Sequence, residues 1–174
     1  ATLGDTHPET LTSINNVGLL LQAQGDLANA APLLREALAG RCATLGDTHP
    51  DTLSSINNLG SLLKAQGDLK NAAPLLREAL AGRRAKLGDT HPDTLTSLNN
   101  LGTLLQAQGD LESAAPLLRE ALAGRRATLG NTHPHTLASI NNLGTLLQAQ
   151  GDLESAAPLL REALAGRRAT LGNT

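Results

Sequence analysis

Apolar and polar positions along this chain follow two helical rhythms, and the pair of rhythms recurs every 42 residues. In the third recurrence Leu95, Leu98, Leu101 and Leu105 fall three or four residues apart, the spacing of one face of an α-helix. After Gln108-Gly109-Asp110, a second stripe of Leu111, Ala114, Ala115, Leu117, Leu118, Ala121 and Leu122 begins, and it runs on until the glycine of the next tail, Gly130. Pro92 fits the first helical position, because the N–H it lacks has no partner there. His91 fits the N-cap, since a residue preceding proline resists helical geometry, and Asp93 places a carboxylate in the positive first turn. Gly109 ends the first helix and Asp110 caps the second. The pattern predicts helices of about 17 and 19 residues joined by a very short turn.

Segments starting at Ala1, Ala43, Ala85 and Ala127 align without a gap, giving repeats 1–42, 43–84, 85–126 and 127–168, while residues 169–174 open a fifth copy. The third and fourth copies differ only at Lys86/Thr128, Asp89/Asn131, Asp93/His135, Thr96/Ala138 and Leu98/Ile140. Such self-similarity marks a repeat array, here one array over 1–174, in which each helix pair buries its apolar face against its neighbours. Ala1 to Gly4 are expected to mimic the tail of a preceding second helix. Two features run against helix propensity. Gly102 and Gly124 each cost roughly 1 kcal/mol against alanine, which a close helix crossing against the small stripe of Ala114 and Ala121 would explain. Pro116 lies inside the second helix and is expected to cost one backbone hydrogen bond.

Composition narrows the picture. The chain contains no Phe, Trp, Tyr or Met, so its core is built from Leu, Ile, Val and Ala, which suits close-packed helices. Fourteen basic residues against sixteen acidic ones give a net charge of -2, without the footprint of a nucleic-acid or anionic-membrane binder. No stretch is long and apolar enough for a membrane span or a signal peptide, and a cytoplasmic location is expected. The single thiol, Cys42, stands where the other copies carry Arg84, Arg126 and Arg168, which reads as one drifted position.

These residues resemble the tetratricopeptide repeat, in the 42-residue form of kinesin light chains and nephrocystin-like proteins. The series Leu98, Leu101-Gly102, Leu105, Gly109-Asp110, Ala114, Leu118 and Ala121 carries the resemblance, which spans the whole chain. It implies an all-α fold, a right-handed α-solenoid of four helix-turn-helix repeats, and a non-enzymatic scaffold that binds other proteins. It further implies that the first helices line a concave groove, where a ladder of asparagines often grips the backbone of an extended peptide.

The residues themselves support a neutral polar face on the first helix. Thr96, Asn99, Thr103 and Gln106 follow one another at three, four and three, with no charge between Thr94 and Gln108. Their equivalents are Thr12, Asn15, Leu19 and Gln22; Ser54, Asn57, Ser61 and Lys64; Ala138, Asn141, Thr145 and Gln148. Asn16, Asn58, Asn100 and Asn142 form a second column. The candidate peptide-binding residues are therefore Asn15, Asn16, Gln22, Asn57, Asn58, Lys64, Asn99, Asn100, Gln106, Asn141, Asn142 and Gln148. Two uses remain open for these amides: gripping a peptide, or bonding only to water and to neighbouring repeats.

Catalysis and metal binding lack a basis in the pattern. His7, His49, His91 and His133 sit one per repeat as caps. His133 and His135, two apart on a helix, are expected to face different ways. No Ser/His/Asp or Cys/His set converges, so neither an enzyme nor a cofactor is expected. Arg125-Arg126 and its equivalents, with Glu112 and Glu120, read as a solvated face. The alternative to a peptide scaffold is a structural spacer or self-stacking array. The outermost repeats keep the Leu and Ala stripes of the inner ones, so end-to-end self-association is expected.

Overall fold

The computed structural model describes Gly4 and residues 6–171. Among the described residues it contains eight α-helices and no strand: α1 (Pro8–Ala23), α2 (Leu27–Leu45), α3 (Pro50–Ala65), α4 (Leu69–Leu87), α5 (Pro92–Ala107), α6 (Leu111–Leu129), α7 (Pro134–Ala149) and α8 (Leu153–Leu171). The fold class is an all-α helical-repeat array of the solenoid kind. First helices have 16 residues and second helices 19. Most of the tail at Ala1 to Gly4, and the last three residues of the opening fifth copy, lie outside the described residues.

Local chemistry sets each boundary. His7, His49, His91 and His133 are extended N-caps with ψ between 138 and 141°, each followed by proline at the first helical position. Nδ1 of each imidazole accepts the backbone N–H two residues on, at 3.2 to 3.3 Å. Asp26, Asp68, Asp110 and Asp152 cap the second helices by accepting the N–H of Asn29, Asn71, Ser113 and Ser155. Bonds from the Asn71 side chain and backbone hold the Asp68 carboxyl below its ordinary range. Between the helices Gly109 takes φ +82°, a left-handed conformation that a side chain disfavours, and this reverses the chain in one step.

The chain packs as two compact units, Ala1–Lys86 and Leu87–Thr174. In the first, α2 packs on both α1 and α3; in the second, α6 packs on both α5 and α7, and α8 packs on α7. Leu53, Ile56 and Ala79, flanked by Leu38 and Leu75, form a core cluster of the first unit. The helical glycines admit leucine knobs. A Cβ on Gly102 would lie 2.7 Å from Leu118 Cδ2, and one on Gly124 would collide with Leu95. The expected crossing is therefore real, but its partner differs: Gly102 meets the branched end of Leu118, with the Ala114 carbonyl next at 3.6 Å, rather than a stripe of alanines. A knob and a missing side chain fill space better than two small residues would. Pro116 lies inside α6 as expected. It is exposed, as is Glu112 four residues earlier, so the carbonyl deprived of its partner sits on a solvated residue.

Candidate partner-binding surface

The first helices of each unit lie side by side, with α1 against α3 and α5 against α7. Their polar stripe is thereby brought together, and much of it is consumed in joining repeats. Asn58 Nδ2 donates to Asn15 Oδ1 at 3.1 Å, and Asn142 Nδ2 donates to Asn99 Oδ1 at 2.9 Å. Asn15 and Asn57 are buried, whereas Asn58, Asn99, Asn100, Asn141 and Asn142 are half-buried and Asn16 is exposed. Thr103 and Thr145 turn inward along their own helices, donating to the carbonyls of Asn100 and Asn142. At the far end of the stripe Gln22, Lys64 and Gln106 are half-buried and Gln148 is exposed. Burial pushes the Lys64 ammonium below its ordinary value. Gln22 Oε1 is buried without a partner.

The start of the stripe serves a different purpose, one that the sequence reading missed. Arg41, Arg83 and Arg125 are only 6, 4 and 5 % exposed. The face read as solvated therefore loses its first arginine to the interior, while Glu112 stays exposed and Glu120 and Arg126 half-buried. In the first unit Arg41 Nη1 donates to Ser55 Oγ at 2.8 Å and to the Asp51 carbonyl at 3.2 Å, while Nη2 reaches Thr12 Oγ1 at 3.1 Å. In the second unit Arg125 does the same with Ser139 Oγ, the His135 carbonyl and Thr96 Oγ1. Arg83 donates to Ser54 Oγ. A buried charge is costly unless hydrogen-bonded, and the planar guanidinium fork matches these acceptors across two repeats, which an ammonium would not. Burial lowers the Arg125 pKa, yet a guanidinium stays charged at neutral pH. Thr12, Ser54 and Thr96 are thus acceptors for arginine. Arg126, the second of its pair, lies 37 % exposed at the rim, with both Glu162 carboxylate oxygens at 2.7 to 2.8 Å from Nη2.

The histidine pair also departs from expectation. The rings of His133 and His135 lie 5.3 Å apart, because His133 is an extended cap outside the helix and so escapes the helical offset. Its Nδ1 is occupied by the His135 N–H. Among the described residues no three His, Cys, Asp or Glu side chains gather as a metal site would require, and no helix is long and apolar enough to cross a membrane. Two open hollows of the second unit, about 490 and 550 Å³, are lined by Gly109, Asp110, Leu111, Glu112 and Gln150, and by Arg119, Leu122, Ala123, Arg126, Ala127 and Leu143. Neither includes a residue of the amide stripe.

Two family models described as tetratricopeptide repeat match this chain, one over residues 51–127 and 116–169, the other over residues 10–51. The chain belongs to the tetratricopeptide repeat family. Solved structures agree with that membership. A Podosopora anserina protein described as a kinesin light chain with nearly identical TPR-like repeats is 32 % identical, with a TM-score of 0.73 over 97 % of this chain and 80 % of that one. A variant of it is 31 % identical, with a TM-score of 0.77 over 98 % of this chain and 80 % of that one. BtubC (BKLC) from P. vanneervenii is 24 % identical and shares the fold, with a TM-score of 0.80 over 94 % of this chain and 65 % of that one. None of the curated proteins matches the chain. Tetratricopeptide repeats generally mediate protein–protein interaction, and the long 42-residue form found here is kinesin light chain-like.

Proposed function

We propose that the 174 residues form a single, non-catalytic interaction domain that holds an extended segment of another protein against the uncharged stripe of its first helices, in the cytoplasm. One observation carries the reading. In each unit an asparagine of one repeat is fixed by an asparagine of the preceding one, Asn58 by Asn15 and Asn142 by Asn99. A primary amide offers two donors and an acceptor, so the ladder leaves bonding capacity at Asn58 and Asn142, which stay half-exposed. Preorganised amides suit an extended backbone with little demand on its sequence. Affinity is modest, because the stripe lacks the aromatic or arginine anchors that dominate tight interfaces. The buried Asn15 and Asn57 act as supports, and Gln106 and Gln148 as contacts.

A selected library of extended peptides tests this. Gln106→Ala with Gln148→Ala should weaken peptide binding by roughly threefold to tenfold, the loss of one or two hydrogen bonds, with no change in thermal midpoint. Asn99→Ala should lower both binding and stability. Unchanged binding in both variants would show that the stripe is architectural. A second reading is a purely structural spacer or self-stacking array, favoured by the near identity of the repeats, the third and fourth of which differ at only five positions.

A further inference from the structure

The hollow of about 550 Å³ on the second unit is built mainly from a second helix, away from the amide stripe of the first helices. Arg119, Leu122, Ala123, Arg126 and Ala127 line it from α6, and Leu143 of α7 adds to its floor. Glu162 of α8 reaches across to Arg126, so α8 borders it on the far side. The hollow lies at the joint between the third and fourth repeats, a joint that is complete within the chain.

Its chemistry is that of an apolar floor between two cations. Arg119 and Arg126 stand seven residues apart on α6, which is two helical turns, or about 10 Å along the axis. Arg119 is exposed. Both oxygens of Glu162 bond Nη2 of Arg126, and Nη1 has no hydrogen bond among the described residues. One carboxylate against two guanidinium groups leaves the hollow positive. Charge complementarity therefore calls for a partner with acidic side chains, and the leucine and alanine floor for an aliphatic side chain between them. Backbone chemistry selects the conformation. An extended segment laid here would press N–H and C=O groups against leucine and alanine side chains that cannot pair with them. A helix satisfies its own backbone, and its side chains return at the same two-turn interval as the two arginines.

We infer that this outer hollow docks an amphipathic helix of a partner protein, with a leucine over Leu122 and Leu143 and two carboxylates, seven residues apart, on Arg119 and Arg126. The arginines supply the anchors that the first-helix stripe lacks. The surface is separate from that stripe and does not rest on the peptide reading of it. In the first unit Arg35 is kept, but Cys42 replaces the second arginine. The drifting rim position thus determines which joints carry the full charge pair.

A fluorescein-labelled, alanine-based helical peptide, with two glutamates seven residues apart and a leucine midway between them, is the probe, read by fluorescence anisotropy. Arg77 is the equivalent of Arg119 one repeat earlier, so the test variant combines Arg77→Glu with Arg119→Glu. Both positions are exposed, and helicity by circular dichroism should be unchanged. Affinity for the probe should fall by roughly threefold to tenfold, and a peptide with lysines in place of the glutamates should bind this variant better than it binds the unaltered chain. Cys42→Arg should add one bound peptide per chain. Gln106→Ala with Gln148→Ala should leave affinity for the probe unchanged, which keeps this surface distinct from the first-helix stripe. A probe with serine in place of leucine should bind roughly tenfold more weakly; equal binding would reduce the hollow to a charge patch and overturn the docking site. Equal binding by a proline-containing probe that cannot become helical would overturn the helical occupant. Absence of saturable binding, or binding indifferent to the reversal of both arginines, would overturn the site altogether.

Discussion

In the first unit Arg41 joins Thr12 to Ser55 and the Asp51 carbonyl; in the second Arg125 joins Thr96 to Ser139 and the His135 carbonyl, and the corresponding distances agree within 0.2 Å. At the rim the two units diverge. Arg126 forms an ion pair with Glu162 in the second unit, while the first carries Cys42 in that place, near Glu78. The first-turn residue differs as well, an aspartate in one and a histidine in the other, although the clasp uses only its carbonyl. What the comparison teaches is where a repeat tolerates drift. A buried guanidinium that satisfies acceptors from two repeats has no substitute, whereas a rim side chain, or one whose backbone alone is used, can change at little cost.

Removing the clasp should have the largest effect and the same size in both units. Arg41→Ala and Arg125→Ala should each destabilise by roughly 2 to 4 kcal/mol, through unsatisfied buried hydroxyls and a vacated stem volume. Lysine at either site should recover only part of this, because it lacks the fork. Urea unfolding of the two variants checks the claim, and strongly unequal losses would break the equivalence of the joints. Exchanging the rims should matter far less. Cys42→Arg, which restores an ion pair with Glu78, should add no more than about 0.5 kcal/mol, and Arg126→Cys should lose a similar amount, both shrinking in salt. A loss comparable to that of the clasp would show the rim to be structural.

The smallest difference is in pH. Burial, then Arg125, then His133 hold the His135 imidazole below its ordinary pKa. As pH falls through about 6.5 the unfolded chain takes up this proton before the folded one. Stability from this group is therefore complete above that pH and is lost as pH falls toward the folded value. His135→Asp, which installs the residue found in the second and third copies, should flatten the thermal midpoint against pH between 7 and 5. An identical slope in both proteins would remove His135 from the account.

The helices and their caps were legible in the sequence because they are local. His91 before Pro92, Gly109 before Asp110 and the leucine spacing depend on backbone geometry within a few residues, and they place boundaries to within a residue. The chain also held a clue to the clasp: where the repeats are compared, Arg41, Arg83, Arg125 and Arg167 recur in all four, while the next position drifts to Cys42. The polar stripe was legible as a face but not as a set of bonds. Asn15 and Asn58, 43 residues apart, meet only when α1 and α3 lie side by side.

By itself, then, the sequence determined the period, the helix pair, the caps and the family, since each follows from short-range periodicity and turn chemistry repeated four times. Tertiary structure alone decided which of two adjacent arginines is buried, and which asparagines support the surface and which face it. Neighbouring residues on a helix point about 100° apart. Composition cannot say which of the two directions meets a neighbouring repeat. Only the packed joint fixes that direction, and with it the choice between a solvated charge and a buried key.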